Sequence, residues 1–194
     1  LQALRDRLKP SARMPVVFLG HGSPMNALED TAYSRAWTAL GQSLPEPQAI
    51  LVVSAHWMTK GTTLVDVSRL PKTIHDFYGF RDALYAMDYP APGNPDLARE
   101  VVSLLASHHA AEDDSWGLDH GAWTVLRFLY PQAKVPVFQV SIDMGRGLAH
   151  QLEVGRTLAQ LRDRGALIQG SGNVVHNLRA MRFGGQPLDF ALEF

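Results

Sequence analysis

The sequence predicts an α/β domain: a single unit with a mostly parallel central sheet flanked by helices. Three observations carry that expectation. Short apolar runs alternate with longer amphipathic stretches, the pattern of βαβ units. The apolar runs are brief and rich in β-branched residues, as in AILVVSA over residues 49–55, which suits buried strands. The chain has 194 residues, 46% of them hydrophobic and 19% charged, enough to build one core.

Residues 1–9 read as a short amphipathic helix stopped by Pro10. MPVVFL, residues 14–19, is a buried strand closed by Gly20. Residues 31–43 are a helix, with Thr31 at its N-cap and Gly41 near its end. Residues 49–55 are the clearest strand, and residues 61–68 a further one. Residues 69–95 hold prolines and aromatics without a period and read as loop. Residues 95–109 form a helix with Asn94 as cap and Pro95 in the first turn. After a loop rich in Asp, Gly and Trp, residues 120–130 are a helix, 135–142 a strand and 148–164 a helix ended by Gly165. Residues 166–170 begin a strand and 174–181 a helix. PLDFALEF, at 187–194, opens a new amphipathic pattern without a stop signal. The chain is therefore expected to be one domain over 1–194, truncated at its C-terminus.

Composition removes several function classes. The formal net charge is -1, so no basic excess exists to draw phosphate backbones or a membrane surface. There are no cysteines, which excludes disulfides, thiolate metal sites and cysteine nucleophiles. No apolar run approaches a bilayer span, and the first residues, LQALRDRLKPSAR, lack the apolar core of a signal peptide. A cytoplasmic protein is expected.

Chemistry collects at the carboxyl ends of the strands, the edge where open α/β sheets bind ligands. MPVVFL runs into Gly20-His21-Gly22-Ser23-Pro24, and AILVVSA into His56-Trp57. VPVFQV runs into Ser141-Ile142-Asp143, and ALIQG into Ser171-Gly172-Asn173 with His176 beyond. One histidine after a strand is ordinarily a solvated loop residue. Three at equivalent positions point to a shared metal or catalytic centre, because imidazole suits borderline metals. His120, in GLDHGAW, opens a helix and is an acid–base candidate. His75, in TIHDFYGF, sits in the aromatic loop and is a candidate substrate contact. His108, His109 and His150 read as solvated. Other motifs fail: Met25 and Val175 stand where a dinucleotide-binding GxGxxG needs its third glycine, and GxSxG, P-loop and HExxH patterns are absent.

The blocks GHGSPMNALED, VVSAHW, TIHDFYGF, YPAPG, GLDHGAW, VPVFQVSID and SGNVVHNLR, in this order from about residue 14 to 180, resemble the class III extradiol ring-cleavage dioxygenases, and within them the bacterial and plant 4,5-DOPA dioxygenase branch. The resemblance implies a single catalytic domain with a mononuclear site. It implies that His21 and His56 ligate the metal, that His176 is a further ligand or an acid–base group, and that His120 is a catalytic acid–base residue beside the substrate. It implies Fe(II) for catalysis and a DOPA-like catechol and O2 as reactants giving a semialdehyde. Zn(II) is expected in the purified protein, because it outcompetes iron(II) at nitrogen ligands. The family supplies one more ligand from a Pro-Thr-Pro-rich C-terminal block that has no match here. Two alternatives stay open: a zinc hydrolase built on the histidines, and a catalytically inactive metal-binding fragment.

Overall fold

The computed structural model describes residues 11–173. Strand β1 (Val16–Gly20) passes through a short 3-10 turn (Pro24–Ala27) to helix α1 (Ala32–Ser43) and strand β2 (Ala49–Ser54). Two short strands come next, β3 (Met58–Thr59) and β4 (Thr63–Asp66), and then a long connection holding one helical turn, α2 (Asp82–Tyr85). After it stand α3 (Pro95–Leu104), β5 (Ala110–Asp113) and α4 (His120–Leu129). β6 (Val137–Gln139), β7 (Ile142–Asp143), α5 (Leu148–Leu158) and β8 (Ala166–Gly172) complete the described chain. The helices expected at 1–9 and 174–181, and the C-terminal stretch, lie outside the described residues.

The main sheet has the order β1-β8-β2-β6 and is wholly parallel, as expected. Alternate side chains of its strands feed two cores. Ile50, Val52, Val137 and Leu167 pack on one face with Trp123 and Leu126 of α4. Ala49, Leu51, Phe138 and Ala166 pack on the other with Leu97 and Val101 of α3 and Val154 and Leu158 of α5. These residues are almost completely removed from water, and each large one stabilises the fold by about 1.5–3 kcal/mol.

The register of the sheet levels its functional edge. Gly20 lies opposite Gly172, and Ser54 opposite Ser171. The carboxyl ends of β1, β8 and β2 are therefore at one height. β1 and β2 flank β8, so their ends stand about two strand spacings, ~9.6 Å, apart. A residue leaving each end can meet the other above β8.

Local signals account for the helix starts. Thr31 caps α1 in a reciprocal box with Ser34, and Asn94 accepts from the Leu97 amide with Pro95 in the first turn of α3. Gly41 lies near the end of α1, as expected, and a Cβ there would overlap the Leu129 carbonyl oxygen, so the glycine permits close packing of α1 on α4. Three expectations differ from the structure. The strand expected at 135–142 divides: after β6, the Ser141 amide and hydroxyl bond the backbone of Leu64, carrying β7 over to pair with β3. β5, whose sequence AAED has poor strand propensity, forms because it pairs in register with β4. The helix expected over 148–164 is α-helical only to Leu158. It tightens into a 3-10 segment, Ala159–Arg164, before Gly165 turns out with φ 79°.

Among the described residues, no helix is long and apolar enough to cross a membrane.

Candidate metal centre

Each histidine of the centre arrives on a different element. His21 comes just after β1, His56 just after β2, and His120 is the first residue of α4. The start of α4 is held above the strand ends by Asp119. Its buried carboxylate accepts from the Ala122 amide at 3.2 Å, the Ser54 hydroxyl at 2.7 Å, Trp116 Nε1 at 3.2 Å and Gln139 Nε2 at 3.0 Å. Ser54 in turn accepts from the His56 amide at 3.2 Å. Gly121 makes the approach possible. A Cβ at that position would meet Ser54 Oγ at 2.6 Å and His56 Cδ2 at 2.9 Å.

The three imidazoles converge. Ring centroids are 4.9 Å apart for His21 and His56, 4.0 Å for His56 and His120, and 5.2 Å for His21 and His120. One ring nitrogen of each lies within 4.8 Å of the others. His21 and His120 are only 1% and 5% exposed, and His56 is half-buried. His21 Nε2 and His56 Nε2 stand 3.0 Å apart.

The hydrogen bonds behind the rings decide which nitrogens can bind. Ser171 Oγ donates its hydrogen to the Gly121 carbonyl, so His21 Nδ1–H must donate to Ser171 Oγ, at 3.0 Å. The Nδ1 atoms of His56 and His120 face the two oxygens of Asp76, at 3.1 and 2.9 Å. Burial alone would raise the Asp76 carboxyl, but hydrogen bonds from His120 and His56 outweigh it and hold the group well below the ordinary carboxylate range. It is ionised and accepts. All three rings thus carry hydrogen on Nδ1, which leaves Nε2 as the nitrogen that can ligate.

That donor set fits a divalent ion. Two nitrogens bound tetrahedrally to zinc, at 2.0–2.1 Å each, are separated by about 3.4 Å. The 3.0 Å between the two Nε2 atoms is close to this. Two facing lone pairs at that distance repel unless a proton or a cation lies between them.

The residues singled out in the sequence do not all meet. His21, His56 and His120 are brought together. His176 lies outside the described residues. His75 is half-buried and one ring removed. Its Nε2 donates to the Met87 carbonyl at 3.0 Å, and it packs on Phe77 and Trp123, with Phe77 5.6 Å from His120. His108 and His150, expected to be solvated, are half-buried with rings 5.3 Å apart, whereas His109 is exposed. Asp76 is the site residue that sequence reasoning misses. In an extended loop neighbours point to opposite sides, so once His75 faces Trp123, Asp76 faces the histidines. Only the position of that loop in space reveals this.

Residues 15–194 match the family described as the catalytic LigB subunit of aromatic ring-opening dioxygenase. The chain is 52% identical over 194 residues to the 4,5-DOPA dioxygenase extradiol of Escherichia coli strain K12, covering 98% of this chain and 71% of that protein. It is 41% identical to the 4,5-DOPA dioxygenase extradiol of Beta vulgaris over 82% of this chain, but spans only 61% of that relative's length. The crystal structure of an uncharacterized Escherichia coli K12 protein superposes with a TM-score of 0.78 at 48% identity, covering 93% of this chain and 69% of that one. The resemblance read from the motifs thus holds across the described fold, and the chain belongs to the LigB family of aromatic ring-opening dioxygenases.

Proposed function

We propose that this chain carries the catalytic centre of an extradiol dioxygenase that opens a DOPA-like catechol with O2. The observation that carries the reading is the convergence of His21, His56 and His120 on one point, with Asp76 behind two of them. The net reaction breaks the ring bond beside the diol, puts both atoms of O2 into the product and leaves a muconic semialdehyde. No external reductant is needed.

His21 and His56 are the metal ligands in this reading, because their Nε2 atoms already stand at ligand spacing. His176 is proposed as a further ligand or acid–base group. Fe(II) bound there would supply the site for both catechol oxygens and the electron route to O2. Zinc would outcompete it at nitrogen ligands and is redox-inert.

The protein's own part is binding and proton transfer. His120 accepts a catechol hydroxyl proton on Nε2. Its Nδ1–H stays hydrogen-bonded to Asp76, whose negative charge stabilises the imidazolium that forms. Phe77 presents a ring edge to His120, and with His75 and Trp123 it forms an apolar wall suited to an aromatic substrate. The buried setting of His120 keeps competing water from the proton.

The test is oxygen uptake with a catechol after loading with iron(II) under reducing conditions. Stoichiometric uptake with a yellow semialdehyde product supports the reading. Ester hydrolysis by the zinc form without oxygen uptake would favour a zinc hydrolase, and metal binding without any turnover a non-catalytic module.

A further inference from the structure

We propose that Asp76 is a positioning residue that sets the tautomer of two histidines with one carboxylate, and that His56 depends on it more than His120 does. The proposal rests on the metal-binding reading above. Oδ2 of Asp76 accepts from His56 Nδ1 at 3.1 Å. Oδ1 accepts twice from His120, from its ring Nδ1 at 2.9 Å and its backbone amide at 2.9 Å. An ionised carboxylate only accepts, so the bonded nitrogen of each ring must bear the hydrogen. The Nε2 atom of each is thereby left as the ligating nitrogen. His56 and His120 leave different elements, the end of β2 and the start of α4, and one side chain from the loop between β4 and α2 bonds both rings. His21 reaches the same tautomer by a separate route, through Ser171 and the Gly121 carbonyl.

The unequal load on the two oxygens gives a sharp expectation for Asp76→Asn. Asparagine has one acceptor oxygen and one donor NH2. The backbone amide of His120 can only donate, so the oxygen settles on the His120 side and keeps both donors there. The NH2 then faces His56 Nδ1. That nitrogen must offer a lone pair, which moves the His56 proton to Nε2, the atom 3.0 Å from His21 Nε2. His56 then loses its ligating nitrogen while His120 keeps its own. The carboxylate's negative charge beside the ion is lost as well. Substitutions of such outer partners typically lower metal affinity 10–100-fold.

Two measurements on metal-free and zinc-titrated protein test this. Nitrogen-15 NMR of the imidazoles should show hydrogen on Nδ1 of both His56 and His120 in the wild type. In Asp76→Asn, His56 alone should change to the Nε2–H form, and zinc should bind 10–100-fold more weakly. Asp76→Glu retains two acceptors and should keep His56 in the Nδ1–H form. A merely structural role would lower the unfolding temperature and leave the tautomers alone. A His56 without hydrogen on Nδ1 in the wild type would overturn the proposal without any variant, as would a His56 Nδ1 that keeps its hydrogen in a folded Asp76→Asn. If the wild type binds no zinc, the metal reading fails, while the tautomer data still judge Asp76.

Discussion

Two groups of histidines in this domain differ in what stands behind the rings. At the carboxyl ends of β1 and β2, each imidazole of the centre has its Nδ1 bonded to a fixed acceptor, Ser171 or Asp76, on another part of the chain. Between the turn after α3 and the start of α5, His108 and His150 also approach to 5.3 Å between centroids, but little holds their rings. His108 Nε2 reaches Thr157 Oγ1 only at 3.5 Å, and His150 Nε2 is buried with no hydrogen-bond partner among the described residues. Proximity alone therefore does not make a site. Fixed tautomers do, because a neutral imidazole can ligate only through the nitrogen that lacks hydrogen.

The contrast can be broken at the ligands first. His21→Ala or His56→Ala is expected to reduce bound metal from about one ion per chain to none and to abolish turnover, because the site loses half of its close nitrogen pair. Metal analysis after desalting checks this, and full occupancy in either variant would remove that residue from the ligand set. His120→Ala is expected to keep its metal and to lose about 10²–10⁴ in turnover, the usual contribution of a positioned acid–base group. Paired metal analysis and oxygen uptake distinguish a base from a ligand: loss of the ion would make His120 a third ligand.

Packing comes next. Gly121→Ala forces a Cβ against Ser54 Oγ and His56 Cδ2. Overpacking of this kind costs about 1–3 kcal/mol, and it also moves His56. The variant should unfold at lower temperature and bind zinc more weakly, whereas a similar Ala substitution at Gly155, with open space around it, should do neither.

The smallest effect belongs to the second histidine pair. Burial, then His108 and Arg146, lower the affinity of His150 for a proton in the folded state. A histidine with a depressed folded pKa contributes nothing above its unfolded value near 6.5 and destabilises as pH falls below it, because the unfolded chain then binds the extra proton. His150→Gln should therefore lose less stability than the wild type between pH 7 and pH 5, measured as unfolding temperature. The three central histidines are not altered by this change, so zinc affinity at pH 7 should not move.

How much of the fold and the centre is legible in the sequence depends on the kind of signal each residue sends. Thr31, Asn94 and Pro95 act on their own backbone, and the elements they start are where the sequence puts them. His21 and His56 are visible because strand ends are recognisable and a parallel sheet brings its carboxyl ends to one edge. β5 is not visible, since its four residues acquire strand form only from their partner in β4. Asp76 sends no local signal at all. It lies in an aperiodic loop, 44 residues from His120, one of the two histidines it bonds, and only the folded chain brings them together. The sequence marks His120 for acid–base work without placing it, because nothing in a helix start reveals that Asp119, Ser54 and Gly121 will seat it beside His56.

The most direct measurement is a crystal structure of the zinc-loaded protein with anomalous data at the zinc edge. One peak is expected about 2.0–2.1 Å from Nε2 of both His21 and His56, with Asp76 still bonded to His56 Nδ1. A peak elsewhere, or an ion held by Nδ1 with Asp76 turned away, would contradict a centre built on fixed tautomers.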